Sequence, residues 1–142
     1  MPTSARVTIL SVSPCADDHG ALADILQPSK CPLYRASTLP AAIQLMSRHH
    51  IGVVVCERDL HPYSWKDLLG GVAAYPSPPL VIVTSRHADD HLWAEALNLG
   101  AHDVLAKPFL PSEVVRTVRF AALHWRWDKE RALPPLLMAA GA

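Results

Sequence analysis

Three stretches of the chain are apolar almost without interruption: Val7 to Val12 (VTILSV), the valines and cysteine inside IGVVVCERDL (Ile51 to Leu60), and Leu80 to Thr84 (LVIVT). They are short and rich in β-branched residues. They do not alternate with polar ones, which is the mark of strands buried on both faces of a parallel sheet. Two weaker strands are expected at Leu33 to Ala36 and His102 to Ala106. Between the strands the apolar positions recur at helical spacing. A first helix, capped by Asp17 or Asp18 and closed by Pro28, carries Leu22, Ile25 and Leu26. A second spans Leu39 to His50 with Ala42, Ile43 and Met46 inward, and a third spans Tyr63 to Ala74 with Leu68, Leu69 and Val72 inward. Asp89 or Asp90 caps a fourth that runs to Asn98, with Gly100 placed to end it. The fifth runs from Pro111 to Arg131 on a stripe of Val114, Val115, Val118, Ala121 and Ala122. Pro134 and Pro135 stop it, and Leu136 to Ala142 is expected to be a loose tail.

Strands alternating with helices, joined by right-handed crossovers, leave few topologies. The best fit is an α/β three-layer sandwich of the flavodoxin-like (βα)5 kind, with a parallel five-stranded sheet in the order 2-1-3-4-5. Residues 1–125 are expected to form the domain, and residues 126–142 an extension of the last helix and the tail. In such a sheet the chemistry gathers beyond the carboxyl ends of the strands. Glu57, the first residue after the central apolar run, falls at that edge.

Composition narrows the field. The chain has 142 residues, 50% hydrophobic and 18% charged, with zero formal net charge. That suits one globular domain and gives no basic surface for nucleic acid. No run approaches the length of a membrane span and no signal peptide is visible, so a cytoplasmic location is expected. Cys15, Cys31 and Cys56 show no CxxC spacing and read as reduced thiols. The histidines show no metal-ligand spacing, and no glycine-rich phosphate loop supports an unrelated cofactor-binding domain.

The segment NLGAHDVLAKPF (Asn98 to Phe109), preceded by a strand ending in Thr84-Ser85, carries a family resemblance. A helix ending in Gly-Ala, a short strand and Lys-Pro-Phe, in this spacing, resemble the second half of a response-regulator receiver domain, the CheY-like module of two-component signalling. The resemblance covers about residues 5–125. It implies that Lys107 contacts phosphoryl oxygens, that Thr84 is the hydroxyl that swings toward them, and that the peptide before Pro108 is cis. Three other features depart from the family. The acid pair that holds Mg²⁺ is replaced by Ser13 and Pro14, the acceptor Asp by Glu57, and the aromatic switch residue by Val104.

Mg²⁺ wants octahedral oxygen ligands, usually including one or two carboxylates. The loss of the acid pair therefore implies that Mg²⁺ binds weakly or not at all, and no other cofactor is implied. Asp17 and Asp18 lie too late in sequence to replace the pair and read as helix-capping residues. A standing Glu57–Lys107 ion pair would mimic part of a phosphorylated state. The alternative is a plain structural salt bridge. The resemblance thus implies an atypical pseudo-receiver, a protein-binding module rather than an enzyme, acting through the face of the fourth helix, fifth strand and fifth helix. Its partner would be a histidine kinase, a downstream signalling protein or a second copy. The competing reading is an active receiver phosphorylated on Asp59 or Glu57. Trp125 and Trp127 are two residues apart and cannot share a helix face, so they are expected to mark an interface.

Overall fold

The computed structural model describes residues 6–131. The expected loose tail, Leu136 to Ala142, lies outside them. Five parallel strands form the sheet: β1 (Ile9–Val12), β2 (Leu33–Ala36), β3 (Val53–Glu57), β6 (Leu80–Ser85) and β7 (Asp103–Ala106). Their order is β2-β1-β3-β6-β7, which is 2-1-3-4-5 when only sheet strands are counted. The flavodoxin-like reading therefore holds. The helices are α1 (Ala16–Leu26), α2 (Leu39–Arg48), α3 (Trp65–Val72), α4 (Asp90–Asn98) and α5 (Pro111–Arg131).

The period-2 alternation of strand side chains divides the core. Leu10, Val12, Val54, Cys56, Val81, Val83 and Val104 face α2, α3 and α4. Ile9, Val53, Val55, Ile82 and Leu105 face α1 and α5, meeting Leu22, Leu26, Val114, Val118, Ala121 and Trp125. Both faces of the central strands are covered, which is why their sequences read as unbroken apolar runs.

Local chemistry corrects several helix boundaries. Tyr63 and Ser64 do not begin α3. They form β5 (Tyr63–Ser64), antiparallel to β4 (Asp59–Leu60), in a small hairpin. The helix starts after Ser64 because Ser64 and Asp67 form a capping box: Lys66 N–H donates to Ser64 Oγ and Ser64 N–H to Asp67 Oδ2. Ile43 is 39% exposed rather than inward, since Leu39, Ala42 and Met46 already fill the buried face of α2. Asp89 caps α4 by accepting from Leu92 N–H at 2.9 Å. Gly100 ends the helix with a positive φ of 103° that only glycine takes readily.

Trp125 departs from the interface expectation. It is 8% exposed, and its ring closes the end of the sheet over Gly52, edge-on to His50 at 5.2 Å. A large ring on the same helix face as Ala121 and Val118 joins the core stripe, while Trp127 is 59% exposed.

Candidate functional site

The parity of the strands places the site. Glu57 follows Val53 and Val55 on the α1/α5 face, and pairs in register with Thr84, which pairs with Leu105. Two residues beyond Leu105, on the same face, comes Lys107. Its backbone N–H donates to Ser85 C=O at 3.0 Å, and the Lys107–Pro108 peptide is cis. Ser13 extends the β1 row of Ile9 and Ser11 in the same way. All these groups converge where α1 begins.

Lys107 Nζ donates to Glu57 Oε1 and, at 2.8 Å, to Asp18 Oδ2. The three side chains are 8–10% exposed. The other oxygen of Glu57 accepts Asp59 N–H at 3.0 Å, and Asp18 Oδ2 also accepts Ser13 Oγ–H at 2.6 Å. Ser13 Oγ in turn accepts Cys15 N–H. One ammonium thus sits between two carboxylates, each with a further donor. Burial alone would lower the Lys107 pKa. The hydrogen bonds and charges of Asp18 and Glu57 outweigh it and hold the ammonium above the ordinary lysine value. The stability this gives is complete below the ordinary 10.5 and is lost only as pH rises through the folded value.

Asp18 corrects the sequence expectation. Helix α1 starts after Cys15 and has no side-chain cap, so neither Asp17 nor Asp18 caps it. Asp18 instead lies one turn before Leu22 and two before Leu26, on the buried face. That i, i+4, i+8 spacing was the available signal, and it points an acid, not an apolar residue, under the strand ends.

Thr84 is buried at the end of β6, and its carbonyl accepts Arg58 N–H. Val104 is buried on the opposite face, in the α2/α3/α4 core. Pro14 lies at the rim of a depression of about 230 Å³ over the triad, with Cys15, Asp59 and Ser85. Asp59 is exposed, and its carboxylate is engaged by Arg58 at 3.2–3.3 Å. Burial pushes the Cys56 thiol pKa up, so it is an inert core group. Among the described residues, no group of three or more His, Cys, Asp and Glu side chains is arranged to hold a metal ion.

His19 braces the turn between β1 and α1. Its Nε2–H donates to Ser13 C=O at 3.0 Å, and Nδ1 accepts from Ser11 Oγ–H at 2.7 Å, the pattern of a neutral imidazole. Burial, aided by Arg35 and opposed by the Ser13 bond and Asp18, lowers its pKa below 6.5. Burial and His124 lower that of His102, against Asp103. An unfolded chain protonates both near the ordinary 6.5, and the folded chain does so only at lower pH. The unfolded state then binds more protons, so stability falls as pH drops below that value. Thermal melts between about pH 7.5 and 5 should show Tm declining with acid, with a shallower decline in His102→Gln. An acid slope unchanged by that substitution would remove His102 from the account.

No helix among the described residues is long and apolar enough to cross a membrane.

The comparisons with known proteins agree with this geometry. The sequence pattern of the response regulator receiver domain matches residues 15–119. The transcriptional regulatory protein CutR of Streptomyces coelicolor is 34% identical over 101 residues, 71% of this chain and 45% of that protein. KdpE of Mycobacterium tuberculosis, also named a transcriptional regulatory protein, is 31% identical over 86 residues, 61% of this chain and 38% of that protein. The chain thus spans less than half the length of these curated relatives. Among solved structures, the signal receiver domain of an HD domain-containing protein from Pseudomonas fluorescens superposes with a TM-score of 0.80 at 27% identity, covering 89% of this chain and 94% of that one. The receiver domain of a LuxO repressor protein from Vibrio parahaemolyticus gives 0.81 at 19% identity, covering 87% and 95%, a likeness of fold. With the sheet order, the lysine beyond the last strand and a match over most of its length, this chain belongs to the response regulator receiver domain family, the signalling modules of two-component systems.

Proposed function

We propose that this chain is a phosphorylation-independent receiver, held in one state by its own side chains and signalling through protein–protein contact. The observation that carries this reading is the Lys107 ammonium bound at once by Glu57 and Asp18. In a phosphoryl-accepting site that lysine must be free to meet an incoming phosphoryl oxygen, and a metal must neutralise the rest of the charge. Here the lysine is already engaged. Ser13 offers Mg²⁺ a neutral hydroxyl, Pro14 offers no side-chain donor, and both buried carboxylates are committed to Lys107. This donor set does not fit Mg²⁺.

Glu57 places one negative charge beside Lys107, less than the −1.5 to −2 of a phosphoryl group, so it reproduces only part of a phosphorylated state. Val104 has neither the ring nor the hydroxyl of an aromatic switch residue, which fits a module that does not switch. The surface left for partners includes Trp93 and Leu97, one turn apart and exposed on α4, and Phe120, Leu123 and Trp127 on α5. A histidine kinase, a downstream signalling protein or a second copy would be recognised there. The competing reading, phosphorylation of Asp59, has the exposure of Asp59 and its place at the rim of the depression in its favour. Its carboxylate, however, is paired with Arg58 rather than Lys107.

The two readings separate on incubation with Mg²⁺ and acetyl phosphate or phosphoramidate, followed at once by intact mass. No gain is expected, alongside a control receiver that gains one phosphoryl group. A gain abolished by Asp59→Asn or Glu57→Gln would make the chain an active receiver and end the proposal.

A further inference from the structure

A second cleft lies at the opposite edge of the sheet from Lys107, where β1 begins, α1 ends and the second half of α5 passes. Its volume is about 330 Å³, in the range of small-molecule sites. Its walls are core residues, Val7, Leu26, Val118 and Ala122, all buried and so fixed in place. Three arginines, Arg6, Arg119 and Arg126, line it as well. Among the described residues none of the three makes an ion pair. The Nε–H of Arg126 is buried without any hydrogen-bond partner. A buried donor left unpaired costs free energy, the more so when the group is charged. Because Arg126 lines the cleft, a small rotation of its guanidinium would let an acceptor bound there pair with that donor.

We infer that this cleft is a binding site for a small phosphate monoester with a compact apolar or aromatic body. The chemistry argues for each half of the ligand. Guanidinium groups present planar forks that match phosphate oxygens bidentately, and three of them suit a dianion better than a monoanionic carboxylate. The valine, leucine and alanine wall has no hydrogen-bonding side chain and takes an apolar body. The interaction is binding alone, with no bond made or broken. It uses none of the residues around Lys107, so it stands apart from the reading given for that site.

Two cysteines make the test direct. Cys31 lines this cleft, Cys15 lines the depression over Lys107, and both are partly exposed. The full chain is titrated with 1-naphthyl phosphate, and alkylation of each thiol by iodoacetamide is followed by mass spectrometry. The expected result is saturable protection of Cys31 with the Cys15 rate unchanged. Inorganic phosphate lacks the apolar body and 1-naphthol lacks the charge-assisted hydrogen bonds, so each half of the probe should protect at least about ten-fold less well. The double variant Arg119→Met and Arg126→Met keeps apolar stems in place and should lose the protection while melting like the parent. Absent protection of Cys31 would overturn the inference. So would protection of Cys15 instead, protection that survives in the double variant, or equal protection by 1-naphthol. Equally tight binding of 1-naphthoate would overturn the assignment of a phosphate in favour of a carboxylate.

Discussion

Replacing Lys107 with methionine is expected to destabilise the protein by about 3–5 kcal/mol, because it leaves two buried carboxylates with no counter-charge. Glu57 and Asp18 would each keep one neutral donor, Asp59 N–H and Ser13 Oγ–H. Those bonds do not offset two like charges facing one another at the same buried point. Urea denaturation read by far-UV circular dichroism measures the loss. A second arm tells the charge effect from lost packing. In the triple variant Lys107→Met, Glu57→Gln and Asp18→Asn the charges leave together, and most of the stability should return, as replaced buried ion pairs often cost nothing. A Lys107→Met variant within about 1 kcal/mol of the parent would show that the triad does not persist in solution.

The second large effect comes from a glycine. A Cβ on Gly52 would lie 2.2 Å from Val7 Cγ2 and 2.9 Å from Trp125 Cε3, closer than any relaxed contact. Val7 is stiff at χ1 and the indole of Trp125 is wedged against the domain, so neither yields cheaply. Gly52→Ala is therefore expected to cost about 1–3 kcal/mol by overpacking, and Gly52→Val more. The clash also predicts coupling. Val7→Ala should cost less in the Gly52→Ala background than alone, with an interaction energy of about 0.5 kcal/mol or more in a double-mutant cycle. Strictly additive losses would mean that Val7 does not press on the position of that Cβ. Trp125, 8% exposed and packed over Gly52, belongs to the core, so a test of the α5 surface belongs at Trp127.

How much of this was readable in the chain differs from element to element. The runs VTILSV, VVVC and LVIVT announce a parallel sheet covered on both sides, because only such strands lack polar positions. Glu57 is legible for the same reason, as the charged residue that ends the central strand at the edge where parallel strands gather their ligands, whereas Lys107 is legible through the resemblance of NLGAHDVLAKPF to receiver domains. The hairpin of Asp59–Leu60 with Tyr63–Ser64 was not legible. Two-residue strands are too short to show a period, and the capping box of Ser64 and Asp67 shortened a helix that the apolar positions alone would have begun earlier.

Asp18 marks the boundary between the two kinds of knowledge. Sequence alone determined the order of strands and helices, the loss of the acid pair at Ser13 and Pro14, and the permanent acid at Glu57. The order follows from local periodicity, and the two departures from residue identity set against the receiver resemblance, neither of which needs a spatial partner to be read. Only the tertiary structure decided that Asp18, 39 residues before Glu57 and 89 before Lys107, completes the triad. It also decided that Trp125 belongs to the core and that three unpaired arginines share one cleft. An acid in a first helical turn is favoured by the helix dipole whichever way it points. Where it points depends on how the helix is rotated against the sheet, and that rotation is set by Leu22 and Leu26 packing among residues that the chain brings from far away.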